Sequence, residues 1–138
     1  MSFEVYVQCF ENGEPAGIPR DFLRRVFSGF LTEPEENYWC VQYGPHDSCN
    51  LALSPLGNAR DEVYQITVER PCKDARLWEA LILLLGHKNT VIYFPGCEGP
   101  LLLKLTVAEH MPPAMLKDLG EPRLVSKGSD IIRYIENA

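Results

Sequence analysis

The chain lacks any apolar stretch long enough to cross a bilayer. Its strongest apolar run covers residues 81–85, whereas a membrane-spanning helix needs roughly 20 such residues. Residues 1–4 also lack the basic start and apolar core of a signal peptide, so we expect neither targeting segment.

Basic residues are fewer than acidic residues. Lys and Arg total 13 against 19 for Asp and Glu, which gives a formal net charge of −6. Such a chain is repelled by phosphate backbones and by anionic lipid, so we expect neither nucleic acid nor membrane to be a partner. One interpretation of this charge is solubility alone, and the other is a docking surface for a basic protein partner.

Paired cysteine motifs are absent. The number of cysteines is odd and no two are spaced as CxxC; they are Cys9, Cys40, Cys49, Cys72 and Cys97. This usage is typical of free thiols in a reducing compartment and predicts a cytoplasmic protein. Even with the three histidines, the cysteines show no metal-ligand spacing, so no metal is expected.

Motifs for cofactor binding and hydrolysis are missing as well. The glycine-rich segment 96–100 follows a predicted strand, but it carries Glu98 where a phosphate loop carries a lysine. No GxSxG or HExxH pattern occurs. We therefore expect no nucleotide or other cofactor.

What the chain does contain is enough apolar sequence, 46% of 138 residues, for a single globular domain over residues 1–138. Alternating patterns predict strands at residues 3–10, 38–43, 49–53, 62–69 and 90–94, with a possible sixth at 123–126. Helical spacing predicts helices at about residues 20–29 and 75–85, the second capped by Asp74, and a final helix that is capped by Ser129 and carries Ile131, Ile132 and Ile135. Residues 33–36 are predicted to be an exposed loop.

This order of elements predicts an α/β (α+β) fold. We expect a single mixed, mostly parallel sheet of five to six strands with helices packed on it. If both helical crossovers are right-handed and parallel, the first, second, fourth and fifth strands run one way and the third runs against them.

Strand direction predicts where a ligand would bind. The turns after the four co-directional strands should share one edge of the sheet, the default ligand edge in open α/β sheets. These turns carry Glu11, Glu14, His46, Asp47, Cys72, Asp74, Cys97 and Glu98.

Cys72 is the strongest candidate nucleophile. It precedes a predicted helix N-terminus and lies beside Lys73 and near Arg70, all of which favour the thiolate. Paired with Cys97 it would allow redox chemistry, and paired with His46 or His110 it would allow nucleophilic catalysis. The alternative is that the thiols only fill loop contacts, since no local motif supplies a positioned base.

Two features fit a protein interface. Glu33, Glu35 and Glu36 form an acidic contact patch, with a solvated loop as the alternative interpretation. Trp39 would be exposed if its strand lies on an uncovered sheet face, and an exposed aromatic beside an acidic rim is typical of protein contacts.

Three segments also carry a resemblance: YVQCFENGE at residues 6–14, RPCKDARLWEAL at 70–81 and YFPG at 93–96. They resemble segments of small uncharacterised bacterial proteins of similar length, a resemblance that implies no activity, cofactor or site residue. In size, acidity and lack of catalytic motifs the chain is also similar to immunity proteins of bacterial toxin systems.

We therefore expect a non-catalytic protein-binding module of the immunity type rather than an enzyme. Two alternatives stay open. One is a thiol-dependent enzyme or redox protein that uses Cys72, and the other is a small-molecule binding domain at the predicted ligand edge.

Overall fold

The computed structural model describes residues 3–58 and 60–138, which form an α+β fold built on one large mixed sheet. Its strands are β1 Glu4–Glu11, β2 Glu14–Pro15, β3 Ile18–Pro19, β4 Leu31–Glu35, β5 Tyr38–Gly44, β6 Asp47–Pro55, β7 Glu62–Glu69, β8 Asn89–Tyr93, β9 Leu101–Leu102 and β10 Arg123–Leu124. The helices are α1 Arg20–Val26, α2 Ala75–Leu85, α3 Pro113–Leu119 and α4 Gly128–Glu136, with a 3₁₀ helix at Leu105–His110.

The prediction of a mostly parallel sheet of five to six strands is wrong. The order across the ten-stranded sheet is β10-β9-β8-β1-β7-β6-β5-β4, with β2 on β1 and β3 on β7. Each of these neighbouring pairs is antiparallel except β9 with β10. The central strand β1 lies between β7 and β8, which therefore run in the same direction and are joined by α2.

A strand absent from the prediction explains the error. Residues 33–36 were expected to be a loop, but Leu31–Glu35 forms the edge strand β4 after α1. The crossover from β1 through α1 therefore ends in β4, and β5 returns antiparallel to it. Relative directions from β5 to β8 agree with the prediction, whereas β1 runs against β5, β7 and β8.

Two apolar cores lie on opposite faces of the sheet. On the first face, alternate residues of β1, β5, β6 and β7 pack against α1, α2 and α4. The fully buried members of this core include Val7, Leu23, Leu51, Leu81 and Ile131. On the second face, Phe10, Val91 and Leu102 pack under the 3₁₀ helix and α3. The cover contributes Val107 of the 3₁₀ helix, Met111 between the two helices and the half-buried Leu116 of α3.

Helix α2 matches its prediction because local signals determine it. The side chain of Asp74 accepts a hydrogen bond from the Arg76 backbone N–H at 2.9 Å and so caps the first turn. Trp78 within α2 and Phe94 in the loop after β8 are both buried, as expected. No helix among residues 3–58 and 60–138 is long and apolar enough to cross a membrane.

Candidate binding surface

The structure brings most of the turns predicted to bind a ligand to one edge of the sheet, the one formed by the carboxyl ends of β5, β7 and β8. The turn after β5 carries His46 and Asp47, the loop after β7 carries Cys72 and Asp74, and the loop after β8 carries Cys97 and Glu98. Because β5, β7 and β8 run in the same direction, all three turns lie at the same edge.

Two of the predicted residues lie elsewhere. Glu11 ends β1 and Glu14 begins β2, and β1 runs against β7 and β8. These two glutamates therefore lie at the amino ends of β7 and β8. The prediction that they share an edge of the sheet with Cys72 is wrong. The cause is the edge strand β4, which reversed β5 relative to β1.

The thiolate expected at Cys72 does not fit its surroundings. The residue is buried, 9% exposed, and the indole N–H of Trp78 donates a hydrogen bond to its carbonyl at 3.1 Å. Burial raises the pKa of the Cys72 thiol, and the charges of Asp47 and Asp74 raise it further. The surroundings of Cys72 therefore disfavour the thiolate.

The partners predicted for Cys72 are not assembled around it. Cys72 lines an apolar groove of about 420 Å³ against Trp78, Ile132 and Ile135. Cys97, also a free thiol, lines a separate cavity of about 30 Å³ beside Tyr134.

The two histidines proposed as bases lie in different places. The ring Nδ1 of His110 accepts a hydrogen bond from the Asn12 backbone N–H at 3.2 Å, at the edge opposite Cys72. His46 is exposed in the turn between β5 and β6, at the same edge as Cys72. The structure thus separates His110 from the thiol and leaves His46 on the surface.

Several predicted binding residues serve internal contacts. Asp74 caps α2 and pairs with Arg76 at 2.8 Å, which lowers the pKa of its carboxyl to about 2. Glu33 accepts two hydrogen bonds from Arg24, at 2.9 and 3.0 Å. The Glu36 carbonyl accepts one from Arg20 at 2.6 Å.

Glu98 and Glu35 have fewer internal contacts than Asp74, Glu33 and Glu36. Glu98 is exposed, with its Oε2 3.8 Å from an Arg123 nitrogen. Glu35 is exposed on β4, directly opposite Tyr38. Glu35 is therefore the member of the predicted acidic patch that flanks a sheet face.

Trp39 is not the exposed aromatic that an uncovered strand would present. Its side chain is 1% exposed on the first face, and the guanidinium groups of Arg20 and Arg24 lie 5.8 and 5.1 Å from its ring centre. The residue before it in β5, Tyr38, points to the other face. The exposure expected at Trp39 is therefore wrong, and Tyr38 is the aromatic residue of β5 on the other face.

The second face of the sheet is covered at one side only. The 3₁₀ helix and α3 cover β8, β9 and the end of β1. On the rest of that face, the side chains of the start of β1 and of β5, β6 and β7 are exposed or half-buried, and none is fully buried. We call this surface the open face; its half-buried members include Tyr6, Tyr38, Asn50, Ala52, Gln65, Thr67 and Glu69.

The pairing register aligns the open face in rows. One row runs Tyr6, Thr67, Ala52, Tyr38 and Glu35 across five strands, and it continues to Tyr93 on the covered strand β8. The next runs Glu4, Glu69, Asn50, Cys40 and Thr32. The first strand of the sequence already showed Glu4, Tyr6 and Gln8 alternating away from the apolar side, which was the available signal for this surface.

Hydrogen bonds and stacking hold the tyrosines of the open face. The rings of Tyr6 and Tyr93 stack with centres 5.1 Å apart. The Tyr93 hydroxyl donates to Oε1 of Gln8 at 2.9 Å, and the Tyr38 hydroxyl donates to Oε1 of Glu69 at 2.6 Å. Contacts within the chain itself therefore fix the positions of these tyrosine rings.

Comparisons with known proteins add no homologue: no protein-family model, no curated protein and no solved structure matches the chain. Function is therefore inferred from the surface itself.

Proposed function

We propose that this protein is a non-catalytic protein-binding module of the immunity type, and that the open face is its contact surface. The single observation that carries the proposal is the half-covered second face of the sheet. Helices cover the first face, whereas β5, β6 and β7 leave their second face without a buried side chain.

The composition of the open face supports a protein as the ligand. Tyr6 and Tyr38 offer large amphipathic side chains, the type enriched at the centre of protein interfaces. A sheet face is broad, whereas sites for small molecules are concave and enclose most of the ligand. A macromolecular surface fits such a face better than a metabolite does.

A matched pair of arginine substitutions tests the proposal. Ala52→Arg places a long cation in the central row of the open face, and Leu83→Arg places the same side chain on α2, where Leu83 is 58% exposed. We expect wild-type and Leu83→Arg baits to recover the same partner from a lysate of the native host, and Ala52→Arg to lose it. Equal recovery by both variants, with both folded by circular dichroism, contradicts the open face as the contact surface.

A second candidate function is small-molecule binding in the groove beside Cys72. The observation that favours it is the groove's apolar lining of Phe3, Trp78, Ile132 and Ile135 next to the thiol. A thermal-shift screen with apolar metabolites tests it, because a ligand that binds only the folded state raises the melting temperature. Filling the groove by Ile132→Trp should abolish any shift that arises there.

A further inference from the structure

We propose that the partner of the open face is a basic protein, and that one of its arginine side chains enters the cleft between Glu4 and Glu69. The inference rests on the proposed function and adds to it the chemistry of the partner and the position of the anchor. It starts from how the second row of the open face is built.

Glu4 on β1 and Glu69 on β7 are directly opposite each other in the register. Side chains at such positions lie about 5 Å apart at Cβ, and like charges placed there destabilise the sheet. Neither carboxylate forms an ion pair within residues 3–58 and 60–138. A cation that binds between the two carboxylates relieves this repulsion.

The surroundings of the two glutamates form a cleft rather than a flat patch. The cleft has a volume of about 370 Å³ and is lined by Phe3, Glu4, Tyr38, Asn50, Glu69 and Arg70. Tyr38 reaches it from β5 by crossing β6, because its hydroxyl bonds to Glu69 on β7. The Tyr38 ring and the Asn50 amide therefore accompany the two carboxylates.

This combination suits a guanidinium better than an ammonium group. A guanidinium is planar, offers a fork of N–H donors that carboxylates accept in pairs, and stacks on aromatic rings. The cleft supplies both kinds of contact, with Glu4 and Glu69 as acceptors and Tyr38 as the ring.

The charge balance favours a basic partner over a second copy of this chain. Arg70 is the cation that lines the cleft, against the two glutamates, and Glu35 lies at the far end of the neighbouring row. The chain as a whole carries −6. Two copies placed face to face would bring negative surfaces together, whereas a basic protein is attracted and oriented.

An NMR titration with N-acetyl-arginine amide tests the anchor without the partner. We expect saturable amide shifts at Glu4, Tyr38, Asn50 and Glu69, and no such shifts with the uncharged citrulline analogue. The double variant Glu4→Gln/Glu69→Gln should lose the shifts, and Glu109→Gln, which changes an exposed glutamate of the 3₁₀ helix, should keep them. Shifts that citrulline reproduces, or that the double variant keeps, overturn the proposal.

The captured partner then separates this inference from the proposed function. If recovery falls in Glu4→Gln/Glu69→Gln as it does in Ala52→Arg, the arginine anchor is supported. If only Ala52→Arg loses the partner, the anchor is wrong and the open face remains the contact surface. A wild-type dimer in light scattering that Ala52→Arg dissociates contradicts the basic partner and identifies a second copy as the occupant.

Discussion

The hydroxyl of Tyr38 donates a 2.6 Å hydrogen bond to Glu69 across an intervening strand. Tyr38 lies on β5 and Glu69 on β7, while Ala52 of β6 pairs directly with Tyr38. A side chain as small as alanine lets the tyrosine ring cross β6 and reach the carboxylate. One pair of residues therefore ties together the three strands that form the open face.

This contact predicts a shift in the titration of Tyr38. The hydrogen bond to Glu69 raises the pKa of Tyr38 above its ordinary value of 10.0, with burial as a smaller cause. We expect Glu69→Gln to lower that pKa toward 10. The measurement is the ionisation of each tyrosine by NMR of the ring carbon that bears the hydroxyl.

The sign of the pH effect on folding follows from the same shift. The Tyr38 pKa is higher in the folded than in the unfolded protein. The contribution of Tyr38 to the stability of the fold is therefore fully present below the unfolded pKa of about 10, and it is lost as the pH rises through the pKa of Tyr38 in the folded protein. Tyr93, whose pKa burial raises to about 12, is the internal control. A Tyr38 pKa unchanged in Glu69→Gln would mean that the hydrogen bond is not its cause.

Cys72 is predicted to be an unreactive thiol. Burial and the nearby Asp47 and Asp74 raise its pKa above the ordinary thiol value, so its thiolate fraction at neutral pH is smaller than that of a free cysteine. We expect iodoacetamide to modify Cys72 more slowly than it modifies a cysteine peptide, with the rate rising only at alkaline pH. Peptide mass spectrometry follows the modification of Cys72 separately from the other four cysteines.

Asp47→Asn provides the matched variant, because it removes one of the charges that raise the Cys72 pKa while keeping the side-chain shape. Its alkylation profile should move to lower pH. An apparent pKa for wild-type Cys72 below that of a free thiol would contradict the prediction of an unreactive thiol. It would favour the alternative of a thiol-dependent enzyme.

Arg20 is predicted to be a major structural residue. It is 5% exposed, and its guanidinium donates to the Arg60 carbonyl at 2.7 Å and to the Glu36 carbonyl and the Asn37 side chain at 2.6 Å each. Arg20→Ala leaves these acceptors unpaired, so we expect a loss of about 3 kcal/mol in the free energy of unfolding. Urea denaturation measures it.

Arg24 is the control for Arg20, because it packs on the same Trp39 ring but its side chain is 43% exposed. Its ion pairs with Asp21 and Glu33 are at the surface, where such pairs contribute less than about 1 kcal/mol. Equal losses in Arg20→Ala and Arg24→Ala would show that stacking on Trp39, and not the buried hydrogen bonds, carries the effect.

Local signals were enough to predict the elements whose residues determine them. Helix α2 begins after Asp74 and ends at Leu85 as predicted, and strand β7 spans Glu62–Glu69 as predicted. In both, the apolar spacing matches the period of the element, and Asp74 supplies a cap within its own turn.

Strand β4 shows where local signals fail. Its residues include Glu33, Pro34 and Glu35, which have low strand propensity and are typical of a loop. They form a strand because β5 offers its free edge, and proline and charge are tolerated on an edge strand. The hairpin that β4 forms with β5, with Glu35 opposite Tyr38, reversed β5 relative to β1 and made the sheet largely antiparallel.

The sequence by itself determined the alternation of each strand, including that Tyr6 and Gln8 lie on the opposite face from Val5 and Val7. It also determined the net negative charge. Only the tertiary structure decided which part of the second face stays uncovered. Residues 105–119 carry enough apolar side chains to cover β8, β9 and the end of β1, and the position of that cover depends on long-range packing against Phe10 and Val91. Because such packing joins residues far apart in the chain, no local pattern encodes it.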